Sequence, residues 1–317
     1  MSVIYDVLVI GGGPAGLTAA LTLARQLHTV VVFDSKTYRN NSAKYQHMVL
    51  TWDHTEPSAY RAAARENILA GYDTVKFYDT TIETAKKTDD GKFKVTNTDG
   101  TVWTGLKLVL ASGVQDVFPN LEGFEECWGK GIFHCLFCKG YEERGTSSSG
   151  ILAVDALASA PHAMHVARHA SQLSSSVTLY TNGSTELAKE LEVSLASTTE
   201  MSIDSREIKK LVKGPNDAEV IIHFVDGSKK IEGFLGAVPK VKQRAPFAAQ
   251  LGLELMPSGD MTAKPPFMQT AEKGVFVAGD CGSAMKVAAN ALSTGAAVGA
   301  GVSAQILAEK FGHKPLF

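Results

Sequence analysis

The fold is decided close to the amino terminus, by Val7-Leu8-Val9-Ile10 followed at once by Gly11-Gly12-Gly13-Pro14-Ala15-Gly16. The four apolar residues predict a buried strand, and apolar residues at helical spacing over 17–27 predict a helix after the glycines. A second β-branched run, Thr29–Asp34, ends in a carboxylate 18 residues after Gly16. Strand, glycine turn, helix, strand and acid in this order predict a βαβ unit that binds a dinucleotide.

Each residue of the turn has a physical task in such a unit. Gly11 permits the turn, Gly13 lets the main chain approach a pyrophosphate, and Gly16 lets the helix pack on the strand. The N-terminus of the helix presents unpaired N–H groups and a positive dipole to the phosphates. Asp34 can accept hydrogen bonds from ribose hydroxyls. Its negative charge would repel a 2′-phosphate, so NADP is not expected at this site.

The composition limits the class of protein. The chain has 317 residues, 44% of them hydrophobic and 20% charged, which is typical of a globular protein with two domains. A formal net charge of −2 argues against a nucleic-acid partner. The N-terminal run lacks a basic region and a cleavage site, and no apolar run is expected to reach membrane-spanning length. We therefore expect a soluble, cytoplasmic protein with no membrane partner.

The apolar runs further along indicate an α/β protein in which one domain interrupts another. Thr98-Asp99-Gly100 predicts a hairpin turn between strands at 93–97 and 101–103. A middle region has its own predicted strands at 151–154, 177–180 and 220–224, and Ser147-Ser148-Ser149-Gly150 is typical of a linker leading into it. We expect a first domain made of residues 1–118 and 246–317, and an inserted domain over 119–245.

Two of the four cysteines form a tight pair, Cys135-Leu-Phe-Cys138, directly after His134. A Cys-x-x-Cys pair can close into a disulfide and exchange two electrons with a nucleotide-bound redox cofactor. Zinc is the alternative ligand for such a pair, but Cys127 and Cys281 stand alone and supply no second pair. His162, His165 and His169 share a helical face without an accompanying acid or cysteine, so we expect no metal.

These landmarks, with Leu110-Ala111-Ser112-Gly113 and Gly279-Asp280, resemble the low-molecular-weight thioredoxin reductase family along essentially the whole chain. The resemblance implies a homodimer and two Rossmann-like, three-layer ββα domains, the first discontinuous and binding FAD. It implies that Asp280 bonds the ribityl chain and that a helix starting near Val287 stabilises the reduced flavin. The implied FAD contacts are Gly11, Gly13, Pro14, Ala15, Gly16, Asp34, Ser35, Arg39, Asn40, Ala111, Ser112, Gly113, Gly279, Asp280, Val287 and Ala288.

The middle region departs from that family where NADPH would bind. Asp155 and Leu157 stand where the second glycine fingerprint of the reductases carries glycines. Asn182 and Gly183 follow the next strand, where the reductases carry two arginines for the 2′-phosphate. The sequence therefore predicts a degenerate nucleotide site, and we do not expect NADPH to bind.

Particular stretches are similar instead to the fungal dithiol oxidases of gliotoxin-type epipolythiodioxopiperazine biosynthesis. The resemblance implies secondary metabolism and a small-molecule dithiol that is oxidised to an internal disulfide, with O2 as acceptor and H2O2 as product. It makes Cys138 the flavin-proximal sulfur and Cys135 the exchange sulfur, with His134 a candidate base. An NAD(P)H-dependent thioredoxin or disulfide reductase and a flavin-binding redox sensor remain the alternatives. The stretches are Ala24–Thr29, Val32–Ser35, Tyr38–Asn40, Trp52–His54, Cys135–Cys138 and Gly140–Glu142.

Overall fold

The computed structural model describes residues 3–195 and 198–317. The chain divides into two compact units. One comprises the chain up to Gln115 together with Val241–Phe317, and the other is Asp116–Lys240. The first unit is therefore discontinuous. Its boundaries fall at 115/116 and 240/241, against 118/119 and 245/246 expected from the sequence.

The first unit is built on a seven-stranded sheet in the order β3-β2-β1-β6-β5-β4, with β17 also paired to β6. Labels run in chain order through both units, and β7 (Val114–Val117) and β16 (Lys240–Gln243) span the two boundaries. The other elements of this unit are β1 (Ile4–Ile10), α1 (Pro14–Ala24), β2 (Val30–Phe33), α2 (Pro57–Gly71), β3 (Val75–Tyr78), β4 (Ile82–Lys87), β5 (Phe93–Asn97), β6 (Val102–Leu110), α6 (Phe247–Leu251), β17 (Val275–Val277) and α7 (Ala288–Lys310).

The central strands are parallel and buried on both faces. Successive side chains of β1 point to opposite faces, so Val7 and Val9 pack in the core under α1 and α7. Leu8 packs in a second core on the other face, with Phe93 of β5 and residues of α6. The result is a helical layer on one side of the parallel sheet and a β layer on the other.

One strand serves both layers. The predicted strands at 101–103 and 106–110 are a single nine-residue strand, β6. Its first half pairs antiparallel with β5, completing the expected hairpin, and its second half pairs parallel with β17. Gly105 lies between the two halves, and in the sequence it separates two predicted strands. The main chain continues through it as one strand.

Helix α7 corrects the expectation that no apolar run reaches membrane-spanning length. Over Ala288–Lys310 it is long and apolar enough to cross a membrane, although half of it is buried inside the protein, as in the core helices of soluble proteins. A Cβ on Gly295 would lie 2.4 Å from the carbonyl oxygen of Ala15, and one on Gly299 would meet Thr22. Small residues therefore let α7 approach the main chain of α1.

The second unit has a five-stranded parallel sheet, β11-β10-β9-β15-β8, and a three-stranded antiparallel sheet, β12-β13-β14. Its elements are α3 (Phe124–Cys127), β8 (Ile132–Phe133), β9 (Ser149–Leu152), α4 (Ala160–Ala170), β10 (Val177–Tyr180), α5 (Thr185–Leu195), β11 (Met201–Asp204), β12 (Ile208–Lys213), β13 (Val220–Phe224), β14 (Lys229–Glu232) and β15 (Leu235–Gly236).

The linker predicted at 147–150 was wrong in its second half. Ser149 and Gly150 begin β9, the middle strand of the parallel sheet, and Ser149 is fully buried. Its hydroxyl forms a hydrogen bond of 2.7 Å with that of Ser174, so a residue typical of loops is satisfied inside the core.

Candidate functional site

The glycine turn of the first unit occupies residues 11–13, between β1 and α1. A Cβ on Gly11, whose φ is +123°, would lie 2.2 Å from the carbonyl oxygen of Ala111, and one on Gly16 would lie 1.9 Å from that of Gly11. A Cβ on Gly13 would meet no atom within 4 Å. Gly13 caps α1 without a side-chain hydrogen bond. The N-terminus of α1 thus faces open space in which phosphates fit.

Gly12, which the sequence analysis did not single out, is tied to Asp34. A Cβ at position 12 would lie 2.3 Å from Cγ of that aspartate, so only glycine fits beside it. The fingerprint and the acid at the end of β2 therefore form one packed unit, as a ribose-binding carboxylate next to a phosphate turn requires.

The charge on Asp34 is partly compensated by its neighbours. The residue is 5% exposed, and its Oδ2 accepts a 2.6 Å hydrogen bond from the Tyr38 hydroxyl. Lys36 donates its main-chain N–H to Oδ1 at 2.9 Å and places Nζ 3.1 Å from Oδ2. Burial, with Asp34 next to it, raises the pKa of Tyr38, which keeps the phenol a donor.

Residues far apart in sequence meet around this turn. Nη1 of Arg39 lies 3.4 Å from Oδ2 of Asp280, and Oδ1 of Asn40 accepts a 3.1 Å hydrogen bond from Nη1 of Arg61. A Cβ on Gly279 would lie 2.9 Å from the Cβ of Ala15. The structure thus brings together the segments at 11–16, 34–40 and 279–280 that the resemblance assigned to one cofactor.

Two further predicted segments lie beside these. Ala111 is buried against Gly11 and Gly16, and Gly113 has a φ of +67° with open space where a side chain would stand. Val287 is the N-cap of α7 and Ala288 its first residue, so a second helix begins in this unit with its positive end available. Ser112 lies between Ala111 and Gly113, and Ser35 is exposed directly after Asp34.

The cysteine pair lies in the second unit, after β8. Cys135 and Cys138 form a disulfide with Cα atoms 5.2 Å apart, and both residues are partly exposed. The main-chain N–H of Cys138 donates a hydrogen bond of 3.1 Å to Sγ of Cys135. An N–H donor stabilises a thiolate more than a thiol, so the two sulfurs are not equivalent.

The polar neighbours of the pair differ in part from expectation. The ring of His134 stacks on Trp128, with centroids 5.7 Å apart. Lys139, directly after the pair, is not a fully solvated charge: its Nζ donates to the carbonyl oxygen of Gly129 at 2.6 Å. Burial lowers the pKa of Lys139, and its Nζ lies over the Phe133 ring.

A row of rings beside the disulfide was missed as a functional feature. Phe137, between the two cysteines, is 63% exposed and packs edge-on against His169 of α4, with centroids 4.8 Å apart. His169 in turn packs edge-on against His165 at 4.7 Å. Burial, with the charge of His165, lowers the pKa of His169. The helical spacing of the histidines was visible in the sequence, but their contact with Phe137 was not.

The turn between β9 and α4 differs from that between β1 and α1. It spans residues 153–159, seven residues in place of three, and contains a 3₁₀ turn over Asp155–Leu157. Asp155 has a φ of +51°, and Leu157 is 3% exposed in the core of this unit. This turn carries a carboxylate, and it is four residues longer than the turn before α1. Both differences remove features that bind a pyrophosphate.

Two polar residues near the end of β10, Asn182 and Arg206, already have partners. Asn182 has a φ of +47° and its Oδ1 accepts a 2.8 Å hydrogen bond from the N–H of Ile208. Arg206 binds Asp204 with Nε 3.0 Å from Oδ1, and its guanidinium lies 3.8 Å from the centre of the Phe224 ring. The guanidinium of Arg206 is thus already engaged by a carboxylate.

Comparison with known proteins gives concordant matches. Residues 5–295 match the family model of the pyridine nucleotide-disulphide oxidoreductases. Thioredoxin reductase tcpT of Claviceps purpurea (strain 20.1) is 45% identical over 315 residues, 99% of this chain and 98% of the relative. Thioredoxin reductase aclD of Aspergillus oryzae is 45% identical over 305 residues, 96% of each. A putative thioredoxin reductase TrxB from Bacillus anthracis superposes with a TM-score of 0.87 at 26% identity, covering 97% of this chain and 100% of that one.

Proposed function

The chain belongs to the pyridine nucleotide-disulphide oxidoreductase family, and we propose that it is a dithiol oxidase within that family. It has the two-domain Rossmann fold of the thioredoxin reductases and is an FAD-binding enzyme acting on sulfur. The proposed substrate is a small-molecule dithiol of secondary metabolism, closed to an internal disulfide, with O2 reduced to H2O2. We also propose a homodimer and a cytoplasmic location, both from the resemblance to the reductases.

One observation carries the choice of oxidase over reductase. The turn before α1 keeps three glycines and an open helix N-terminus, whereas the turn before α4 has seven residues, with Asp155 and the buried Leu157 among them. The turn before α1 fits a pyrophosphate, and the turn before α4 does not. An enzyme that cannot take electrons from NADPH must obtain them from its thiol substrate.

The cysteine pair performs the exchange. A substrate thiolate attacks Sγ of Cys135, the bond to Cys138 breaks, and Cys138 leaves as a thiolate. The second substrate thiolate then attacks the substrate sulfur of the mixed disulfide, and Cys135 leaves. The N–H of Cys138, 3.1 Å from that sulfur, stabilises the departing thiolate and supports Cys135 as the exchange sulfur.

The substrate loses two electrons and two protons, and the pair gains both electrons. The segments at 11–16, 34–40, 111–113, 279–280 and 287–288 would hold FAD, which when bound would supply the two-electron chemistry between the pair and O2. His169 is the better candidate than His134 for accepting a substrate proton. The lowered pKa of His169 keeps it neutral near pH 7, and it contacts Phe137 between the two cysteines.

The names of the relatives favour the second candidate, an NAD(P)H-dependent disulfide reductase. The two functions separate in one anaerobic experiment on the purified yellow protein. We expect dithiothreitol to bleach the flavin, millimolar NADPH to leave it oxidised, and readmitted air to restore the colour with peroxide formation. Bleaching by NADPH within a turnover time would establish the reductase instead.

A further inference from the structure

Three potential metal ligands meet in the loop of the first unit that precedes α2. Nδ1 of His47 lies 3.6 Å from Oδ1 of Asp53, and Nε2 of His54 lies 3.4 Å from Oδ2 of the same carboxylate. One ligand atom from each residue lies within 4.8 Å of both others. None of the three belongs to the proposed FAD or thiol sites.

These separations suit a tetrahedral metal ion. Zinc bonds of about 2.0–2.2 Å to nitrogen and carboxylate oxygen place neighbouring ligand atoms about 3.4 Å apart. Both measured contacts are close to this value, but each reaches a different oxygen of Asp53, so a carboxylate that binds through one oxygen uses only one of them. The imidazole rings are nearly perpendicular, at 79° with centroids 4.7 Å apart, so both can turn a nitrogen toward one point.

The loop holds two of the ligands before any ion arrives. The side chain of His47 is only 10% exposed, and Asp53 accepts a 2.9 Å hydrogen bond from the N–H of Met48. The loop ends are joined by the N–H of Gln46, which donates to the carbonyl oxygen of Thr55 at 2.7 Å. The fold already orders His47 and Asp53, so binding an ion would cost little further conformational entropy at these two residues.

The third ligand occupies a backbone conformation that favours glycine. His54 has a φ of +55°, and its side chain is 60% exposed.

We propose that His47, Asp53 and His54 bind a zinc ion, with water in the fourth position. Two imidazoles and one carboxylate form a donor set that zinc accepts, and neutral imidazoles with one carboxylate leave a single negative charge to attract the dication. This site was not foreseen from the sequence, where no metal was expected. The ion would cross-link the two ends of the loop 47–54. This loop follows the segment that holds Arg39 and Asn40.

The test is a zinc titration by calorimetry on the FAD-loaded protein in the Cys135→Ser/Cys138→Ser background, which removes thiolate binding. We expect one zinc per chain, and affinity at least about tenfold lower in Asp53→Asn and in His54→Gly. His54→Gly suits the local φ, and Asp53→Asn preserves the shape of the side chain. FAD content reports whether each variant has folded.

His165 and His169 are a competing pair on one face of α4, and they provide the matched control. His169→Gln in the same background should leave zinc binding unchanged. Absence of stoichiometric binding, or binding that follows His169→Gln rather than Asp53→Asn and His54→Gly, overturns the proposal.

Discussion

The main-chain N–H of Cys138 donates to Sγ of Cys135 across 3.1 Å, although both residues belong to one short turn. A negative charge is therefore stabilised more on Sγ of Cys135 than on Sγ of Cys138, although the Cys-x-x-Cys motif alone makes the two cysteines look equivalent. This asymmetry gives each sulfur a separate expected behaviour when its partner is removed.

The first prediction concerns single cysteine variants. In Cys135→Ser, Cys138 remains as the proposed flavin-proximal thiol, so a long-wavelength absorption band should appear as the pH rises through its pKa. In Cys138→Ser no band should form, and the Cys135 thiolate should attack an added substrate disulfide, leaving a mixed disulfide and releasing one thiolate. Both variants should lose dithiol oxidation. Visible spectra from pH 5 to 9 provide the measurement, and a band in Cys138→Ser would invert the order of the sulfurs.

Gly13→Asp should abolish FAD binding. The space beside Gly13 is open, so the new carboxylate would enter the proposed pyrophosphate site and repel it. Gly71→Asp is the matched control, because Gly71 also has open space and lies at the end of α2. Absorbance at flavin wavelengths per protein chain measures the loss. Stoichiometric FAD in Gly13→Asp would contradict the assignment.

Gly12→Ala should destabilise the protein through Asp34 alone. The added methyl would lie 2.3 Å from Cγ of Asp34, and overpacking of this kind costs about 1–3 kcal/mol. In an Asp34→Gly background the same substitution should cost much less, since the carboxylate and the Cβ that it would overlap are both gone. Thermal midpoints of the four proteins give the coupling free energy. Additive effects would show that the two residues do not compete for space.

His165→Gln should move the acid limb of the pH–rate profile to higher pH. Burial and the charge of His165 both lower the pKa of His169, so removal of His165 lets that pKa rise. If His169 accepts the substrate proton, activity is lost as it becomes protonated, now at a higher pH. The measurement is kcat/KM between pH 5 and 8. His162→Gln, on the same helix, is the control, and an unchanged limb in His165→Gln would remove His169 from the mechanism.

His28 should make stability depend on pH in the acid range. Burial lowers its pKa in the folded state, and its Nε2 lies 2.8 Å from the Ser303 hydroxyl. Below pH 6.5 the unfolded chain takes up a proton that the folded state does not, so stability falls as the pH falls. The slope from this residue is at most about 1.4 kcal/mol per pH unit. His28→Gln should flatten the decline of the thermal midpoint between pH 7 and 5, whereas His313→Gln at the exposed C-terminal end should not.

The sequence was most informative where the structure is local. The turn at 11–16, the acid at position 34 and the hairpin before β6 depend on residues within a few positions of each other, and all three are found. Two Rossmann-like units follow from those patterns together with the resemblance.

It was least informative where a contact joins distant residues. The pair Arg39–Asp280 spans 241 positions, and no periodicity announces it. Ser149 is polar, so the sequence predicted a linker there. Its hydroxyl forms a hydrogen bond with that of Ser174, which allows it to lie in the core. Nothing in the chain around Lys139 shows that the carbonyl oxygen of Gly129 accepts a hydrogen bond from its ammonium group.

Strand β6 also sets an order of events during synthesis. Its second half needs β17, and α1 packs on α7, yet 275–277 and 288–310 emerge from the ribosome only after all of 116–240. During synthesis, β6 of the first unit therefore lacks its partner β17, and α1 lacks its partner α7. The second unit is contiguous in sequence and can already fold. Chaperone demand should be greatest in that interval, and a stop codon before position 275 should yield an insoluble fragment that retains a folded middle.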